Sequence, residues 1–397
     1  MTEHSGPAPE RPRSRAGGRR NDVAVYAPTA AQFYDESTPA PGEWGGGGAA
    51  FQASEVARGL AMHGMRVAHI VYPVKQPAKL GPGFELVERE IYLFRRAGLL
   101  TTLRDALATW TALRRADAAV YIVRGFEGYV LVAALFTALR RRRFIFSGSS
   151  DLDFDIQKRA LGRLRTVLYR WAIRSADAVV VQTEQQQRLA ARALPPGRRP
   201  TLISSFAKPA RRPSGDRLAF VWIGRLVDYK RPLDFVRLAE EVPEGQFRMV
   251  CMETVGTDRE LRAAIHSRAD RLANLEILGS RPPDQLLQLI ERSVAVVSTS
   301  DAEGMPNVFL EAWSRGTPVL TLRFDPDGIV RSRLLGVAAM GEWADFVNGA
   351  RSLLADAGLR ARIAENALRY VSEVHSPEAV ASRWSELVRD VQAGEAH

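Results

Sequence analysis

From Asp22 onward, short runs of β-branched and aromatic residues alternate with segments whose apolar residues recur at three- and four-residue spacing. Val23–Tyr26, Arg66–Tyr72, Ala118–Val123, Phe144–Ser147 and Ala178–Gln182 read as strands, and Ala49–His63 reads as the first helix. Nearly continuous apolar strands separated by helices are what a parallel sheet covered on both faces needs. The rhythm breaks across the proline-rich stretch Leu194–Ser214 and restarts at Leu218–Ile223, with further strands near Phe247–Met252, Leu275–Leu278, Ala295–Ser298 and Pro318–Leu322. The chain therefore reads as α/β, with two Rossmann-like doubly wound domains over residues 22–205 and 206–375. A last helix, Pro377–Val391, puts Val380, Trp384, Leu387 and Val391 on one face, so residues 376–397 are expected to pack back on the N-terminal domain. Residues 1–21, rich in Pro, Gly and Arg, carry no periodicity and read as a disordered basic tail.

Composition bounds the chemistry. A chain of 397 residues exceeds one core, and 46% apolar with 25% charged residues suits a globular protein. Cys251 is the single cysteine, so neither an intrachain disulfide nor a cysteine zinc cluster is available. The longest apolar run, Tyr129–Leu139, is too short to cross a bilayer, and the first twenty residues lack a signal-peptide centre. Cytoplasmic localisation is expected. The net charge of +10 is lopsided: residues 1–200 carry 30 basic against 18 acidic side chains, the rest 25 against 27. An anionic partner of the first half is implied, whether membrane, phosphorylated acceptor or nucleic acid.

The densest signal runs from Ser298 to Val319: a strand end, a loop with Glu303, Gly304, Met305, Pro306 and Asn307, a helix with Glu311, then the turn Gly316-Thr317-Pro318-Val319. Ligands bind at such strand ends in doubly wound folds, and first-turn amides suit phosphate. A second segment, Phe220–Pro232, runs a strand into Gly224 and sets Arg225 and Lys230 five apart before a helix entry.

These two segments closely resemble glycosyltransferase family 4, whose hallmark is two glutamates separated by seven residues before a Gly-Thr-Pro-Val turn. The resemblance runs from about Asp22 to the C-terminus and resembles a bacterial exopolysaccharide branch. It implies a GT-B arrangement, two domains facing across a cleft, and transfer with retention from a UDP- or GDP-linked donor to a glycan or lipid-linked acceptor. It implies that Arg225 and Lys230 stabilise the leaving diphosphate, that Glu303 contacts the donor sugar and that Glu311 holds the ribose hydroxyls. A carboxylate accepts from two vicinal hydroxyls at once. Gly224, Gly304, Met305, Pro306 and Asn307 complete the donor site by resemblance, and Gly279, Ser280 and Arg281 fall at the base-binding turn. In Trp44–Gly48, Gly46 and Gly47 stand where the family has a glycine pair facing the donor phosphates or the acceptor.

The resemblance departs at one place. Many members carry a histidine at the end of an N-domain strand, and none lies between His69 and His266 here. Arg124 and Glu127 are the acceptor-side candidates for part of that role, with Ser149 and Asp151 after the next strand. The alternating Asp151, Asp153 and Asp155 admit a metal reading, but a capping or acceptor loop fits them better, and no cofactor or metal is expected. Asp325-Pro326-Asp327-Gly328 reads first as a turn and second as a segment lying near the donor sugar. A nucleotide-sugar 2-epimerase of the same fold, or a non-catalytic binder of nucleic acid or another anionic ligand, are the rival readings; no aromatic-basic module supports specific nucleic-acid binding.

Across Lys158–Arg174, helical spacing groups Arg159, Arg163, Arg170 and Arg174, and separately Leu161, Leu164, Leu168 and Trp171. The apolar group is expected to dock on the sheet, leaving the arginines outward to contact an anionic membrane reversibly.

Overall fold

The computed structural model describes residues 21–37, 47–90, 98–125, 128–154, 162–211, 217–252, 258–301 and 303–395. Residues 1–20 of the expected tail, Gly46, Glu127, Asp155, Arg159 and Leu161 lie outside the described residues, whereas Asn21, the last residue of that tail in the sequence reading, is buried and opens the first strand.

In the first domain the order is β1 (Asn21–Tyr26), α1 (Gly48–Met62), β2 (Val67–Val71), β3 (Phe84–Glu88), α2 (Leu99–Ala116) and β4 (Ala118–Arg124). Then come α3 (Gly128–Arg140), β5 (Arg143–Ser147), α4 (Arg163–Arg174), β6 (Ala178–Val181), α5 (Glu184–Ala193) and β7 (Thr201–Leu202). The second domain holds β8 (Ala219–Arg225), α6 (Pro232–Glu241), β9 (Phe247–Met252), α7 (Arg259–Ala269), β10 (Leu275–Leu278), α8 (Pro283–Glu291) and β11 (Ser293–Ser298). It continues with α9 (Asn307–Trp313), β12 (Val319–Thr321), α10 (Ile329–Ser332), β13 (Gly336–Ala338), α11 (Trp343–Ala355) and α12 (Ala357–Val374), before α13 (Pro377–Ala393).

Two parallel sheets result, ordered β3-β2-β1-β4-β5-β6-β7 and β10-β9-β8-β11-β12-β13. In each, the order reverses direction between the first and fourth strands, which opens a crevice at their carboxyl ends. Every residue of β4 and of β11 is buried, because helices cover both faces.

The chain crosses between domains twice. Phe206 belongs to the first core and Ala207 to the second. At the return crossing, the His375 carbonyl accepts from the Ala207 amide at 2.9 Å, and His375 Nδ1 meets the Ser205 carbonyl at 2.7 Å. Burial holds the His375 imidazole down to about 4, so this joint stays neutral. Beyond it α13 lays Val380, Trp384, Leu387 and Val391 into the first-domain core. Gly59 on α1 lets the two helices close, since a Cβ there would sit 2.7 Å from the Ala381 methyl.

Three edge strands depart from the sequence reading. β3 carries Glu85 and Glu88, as edges commonly do, and so lacks an apolar run. β7 is only Thr201–Leu202, inside the proline-rich stretch. β13 begins with Gly336, where a Cβ would fall 1.9 Å from the Val319 carbonyl oxygen.

The orientation of α4 corrects an expectation. Its buried side is Tyr169, Ala172 and Ile173, while Leu164, Val167, Leu168 and Trp171 face solvent. Tyr169 meets Phe146 of β5 edge-on, and the small Ala172 lets the helix approach the sheet. Leu164 and Leu168 of the expected inner stripe are therefore outward, alongside Arg170 and Arg174.

Candidate active site

In the second domain the loops after β8 and β11 meet at the sheet's reversal point. The chain leaves β8 through Arg225 and makes one 3₁₀ turn, Asp228–Lys230, before Pro232 opens α6. Thr299 Oγ1 donates to the Lys230 carbonyl at 2.7 Å and accepts from Trp222 Nε1 at 3.1 Å. The Asp301 amide donates to the Tyr229 carbonyl at 2.9 Å. These bonds fasten the loops together, and Lys230 Nζ pairs directly with the Glu303 carboxylate. Glu303 also accepts from Ser300 Oγ at 3.1 Å. Arg225 is exposed at the rim, donating to Tyr229 Oη at 3.0 Å.

Glu311 follows on α9. It keeps a little solvent exposure, yet burial pushes its carboxyl up to about 7, against the pull of Lys208 and Arg315. Neither cation was legible beforehand: Lys208 stands just past the domain crossing, over the Phe51 ring of α1 at 5.8 Å. The turn after α9 is set by Gly316 at positive φ and by Arg217, which donates to the Gly316 carbonyl at 2.7 Å and to Thr317 Oγ1 at 3.0 Å. Gly279 and Arg281 lie at the end of edge strand β10, and the space beside Gly279 is open.

The first domain presents its own strand ends. Gly47 caps α1, and a Cβ on Gly48 would strike the Asn307 side chain at 1.5 Å. Gln52, a turn further along α1, donates to Asn307 Oδ1 at 2.8 Å across the cleft. Arg124 ends β4, buried, with one guanidinium nitrogen on Ser147 Oγ at 2.9 Å and Nε left without a partner. Burial lowers it to about 10, opposed by Asp153. Asp153 accepts from the Ser149 and Ser150 amides and from Ser149 Oγ, which fixes the loop after β5. Asp151 accepts from Gln185 Nε2 at 2.8 Å. The Asp153 bonds cap the 3₁₀ turn Asp151–Asp153, and among the described residues no group of His, Cys, Asp or Glu is placed to share a metal ion.

Gly304 is where the two halves touch. A Cβ there would lie 2.5 Å from the movable end of Gln186, Nε2, and 3.1 Å from the Ser149 carbonyl, so the segment Gly304-Met305-Pro306 sits against the first domain with little room for a side chain at 304. A second clasp is Asp327, which accepts from the Glu184 and Gln185 amides at the start of α5, at 2.8 and 3.0 Å. The sequence placed Asp327 in a turn, and the 3₁₀ turn Pro326–Gly328 carries it across the cleft. Lys230, Glu303, Gly304 and Asn307 are thus gathered at the seam, with Gly47 and Ser149 opposite. Arg225 and Arg281 stand nearer its rim.

Residues 47–205 match the family model described as a glycosyl transferase 4-like domain, and residues 205–370 match that described as glycosyl transferases group 1. The lipopolysaccharide core biosynthesis glycosyltransferase LpsE of Rhizobium meliloti is 31% identical over 94 residues, 23% of this chain and 28% of that protein. The chain spans about a third of the length of the curated relatives it matches. Among solved structures, sucrose-phosphate synthase from Thermosynechococcus elongatus superposes with a TM-score of 0.75 at 16% identity, covering 94% of this chain and 100% of that one. Anabaena HepE in complex with UDP and glucose superposes with a TM-score of 0.70 at 16% identity, over 94% and 100% of the two chains.

Proposed function

The chain belongs to the glycosyltransferases of GT-B fold, and we propose that it is a retaining enzyme moving a sugar from a UDP- or GDP-linked donor onto a glycan or lipid-linked acceptor, without help from a metal ion. The observation that carries this reading is the Lys230–Glu303 pair, fixed between two loops at the reversal point and closed over by the first domain at Gly304. Breaking the bond from sugar to diphosphate builds negative charge on the departing phosphate, and Lys230 and Arg225 are the fixed cations to meet it. Glu303 then faces the sugar hydroxyls and Glu311 the ribose. With retention, the incoming hydroxyl attacks on the face that the phosphate leaves, and the departing phosphate oxygen takes its proton. Arg124, buried at the end of β4 with Nε unpaired, suits an anionic or hydroxyl-rich acceptor.

HepE was solved with UDP, which supports UDP over GDP for the donor, and LpsE acts in lipopolysaccharide core biosynthesis, which supports a surface-glycan acceptor. Such donors are made in the cytoplasm, which supports a reaction on that side of the membrane.

Incubation with UDP- and GDP-sugars tests the reading. Nucleoside diphosphate release should depend on acceptor and survive EDTA. Loss of activity in EDTA with recovery in manganese overturns metal independence, and an altered sugar without acceptor makes the enzyme an epimerase. A Gly304→Val variant should hold the domains apart. Turnover then falls on the order of tenfold or more, and by more than nucleotide affinity does, because alignment across the cleft is lost as well as the close fit at this donor-site glycine. Unchanged turnover would show that the Gly304 contact is incidental.

A further inference from the structure

Among the described residues, fourteen large apolar side chains are exposed, and nine of them stand on α2, α3 and α4. On α2 they are Leu100, Leu103 and Leu107, one helical stripe, with Leu100 74% exposed. Leu135 and Leu139 follow one turn apart on α3. On α4, Leu164 at 72% and Val167 at 61% lead to Leu168 and Trp171. The three helices are neighbours, α3 packing between α2 and α4 on one face of the first sheet. Their cores need none of these residues: α4 is held by Tyr169, Ala172 and Ile173, and α3 by Val130, Ala133 and Phe136.

The same helices are basic. Their sequences contain eight arginines and one acidic residue, Asp105, which is turned inward to pair with Arg89. Arg104 and Arg114 flank the α2 stripe, Arg140 ends α3, and Arg165, Arg170 and Arg174 stand exposed beside the α4 stripe.

We propose that the outer face of α2, α3 and α4 is a membrane-docking surface for an anionic bilayer, with the leucines and Trp171 entering the boundary of headgroups and acyl chains and the arginines meeting lipid phosphate. Each alternative occupant leaves half the surface unexplained. A nucleic acid would satisfy the arginines but leave the aliphatic stripes in water. A second copy on this face would cover the leucines but, by two-fold symmetry, set arginine against arginine. An interfacial helix face combines both chemistries. No described helix is long and apolar enough to cross a membrane, so the contact is from one side. Because α2 and α4 start at the carboxyl edge of the strands, where the cleft opens, a docked protein brings its acceptor side to the lipid surface. The inference stands apart from the transfer reading, since it concerns residues outside the cleft.

The full chain is to be sedimented with phosphatidylcholine vesicles with and without phosphatidylglycerol. Wild type should bind the anionic vesicles at low salt. Leu103→Gln with Leu107→Gln should weaken binding on the order of tenfold, as should Arg170→Gln with Arg174→Gln. Brominated acyl chains should quench tryptophan fluorescence, and Trp171→Phe should abolish most of the quenching while binding persists. All these positions are exposed, and Arg174→Gln gives up only a surface bond from Nε to the Ala193 carbonyl, so the unfolding midpoints should stay close to wild type, and the quenching of wild type needs no variant. Absence of binding to anionic vesicles overturns the proposal. So does binding indifferent to the leucine pair, or quenching that survives Trp171→Phe. Self-association lost in the leucine variant, without vesicle binding, assigns the face to a second copy instead.

Discussion

Replacing Lys230 by alanine is expected to lower kcat on the order of 10²- to 10³-fold while leaving donor KM nearly unchanged. The backbone beneath the side chain is fixed, since the Lys230 carbonyl accepts from Thr299 Oγ1 and the Tyr229 carbonyl from the Asp301 amide, and the ammonium itself is aimed by its pair with Glu303. A cation so fixed needs no reorganisation as phosphate charge develops, and that charge is larger in the transition state than in the bound donor. Lys230→Arg should recover part of the rate, because it keeps the charge but not the compact point geometry. The alanine variant also strips Glu303 of its cation, so the paired variant Lys230→Ala with Glu303→Gln separates the two effects. Rates that stay low in the pair assign the loss to phosphate stabilisation. Full turnover in a correctly folded Lys230→Ala protein would remove this residue from the mechanism.

The two parallel sheets were legible because their central strands are apolar on both faces, as β4 and β11 show. What escaped was set by context. β3, β7 and β13 are edge or very short strands, whose pairing depends on the neighbour already being in place. α4 escaped for another reason. Spacing along Arg163–Arg174 offers two stripes, and the bulkier one, with Leu164, Leu168 and Trp171, looks like the core. Close approach to the sheet selected the other, in which Ala172 is small and Tyr169 donates from its hydroxyl to the Asp153 carbonyl at 3.3 Å.

The candidate site divides the same way. Glu303, Gly304, Asn307 and Glu311 lie within nine residues, so strand, loop and helix place them together and local spacing suffices to find them. Contacts made by closure leave no local trace. Gln52 reaches Asn307 from 255 residues away, and Asp327 finds the start of α5 from the other domain. Lys208 influences Glu311 only because the chain crosses between domains immediately before it. A single sequence shows which residues are adjacent to a strand end, whereas which strand ends face one another is a property of the assembled pair.

Glu311 should make both donor binding and stability depend on pH near neutrality. Burial raises its carboxyl from the usual 4.5 to about 7, with Lys208 and Arg315 opposing the rise. To accept both ribose hydroxyls it must be ionised, so donor affinity should fall about tenfold per unit as pH drops below that value. The two buried imidazoles titrate well below this window, His69 at about 3 and His375 at about 4. A nucleotide sugar is the right probe, since its diphosphate, esterified at both ends, has no group titrating there. Glu311→Gln should bind more weakly at pH 8, with a flat profile, having lost the charged acceptor. Stability runs the opposite way. The folded chain holds this proton up to about 7 while the unfolded chain releases it near 4.5, so between those values the folded state binds more protons and stability falls as pH rises. Glu311→Gln removes that loss, worth up to about 3 kcal/mol. Its unfolding midpoint should therefore exceed that of wild type at pH 8 and match it near pH 4. Thermal melts and donor titrations at those two pH values check both halves: a wild-type affinity as flat as that of the glutamine variant would take Glu311 out of the ribose site, and equal midpoints at pH 8 would show its carboxylate is not buried.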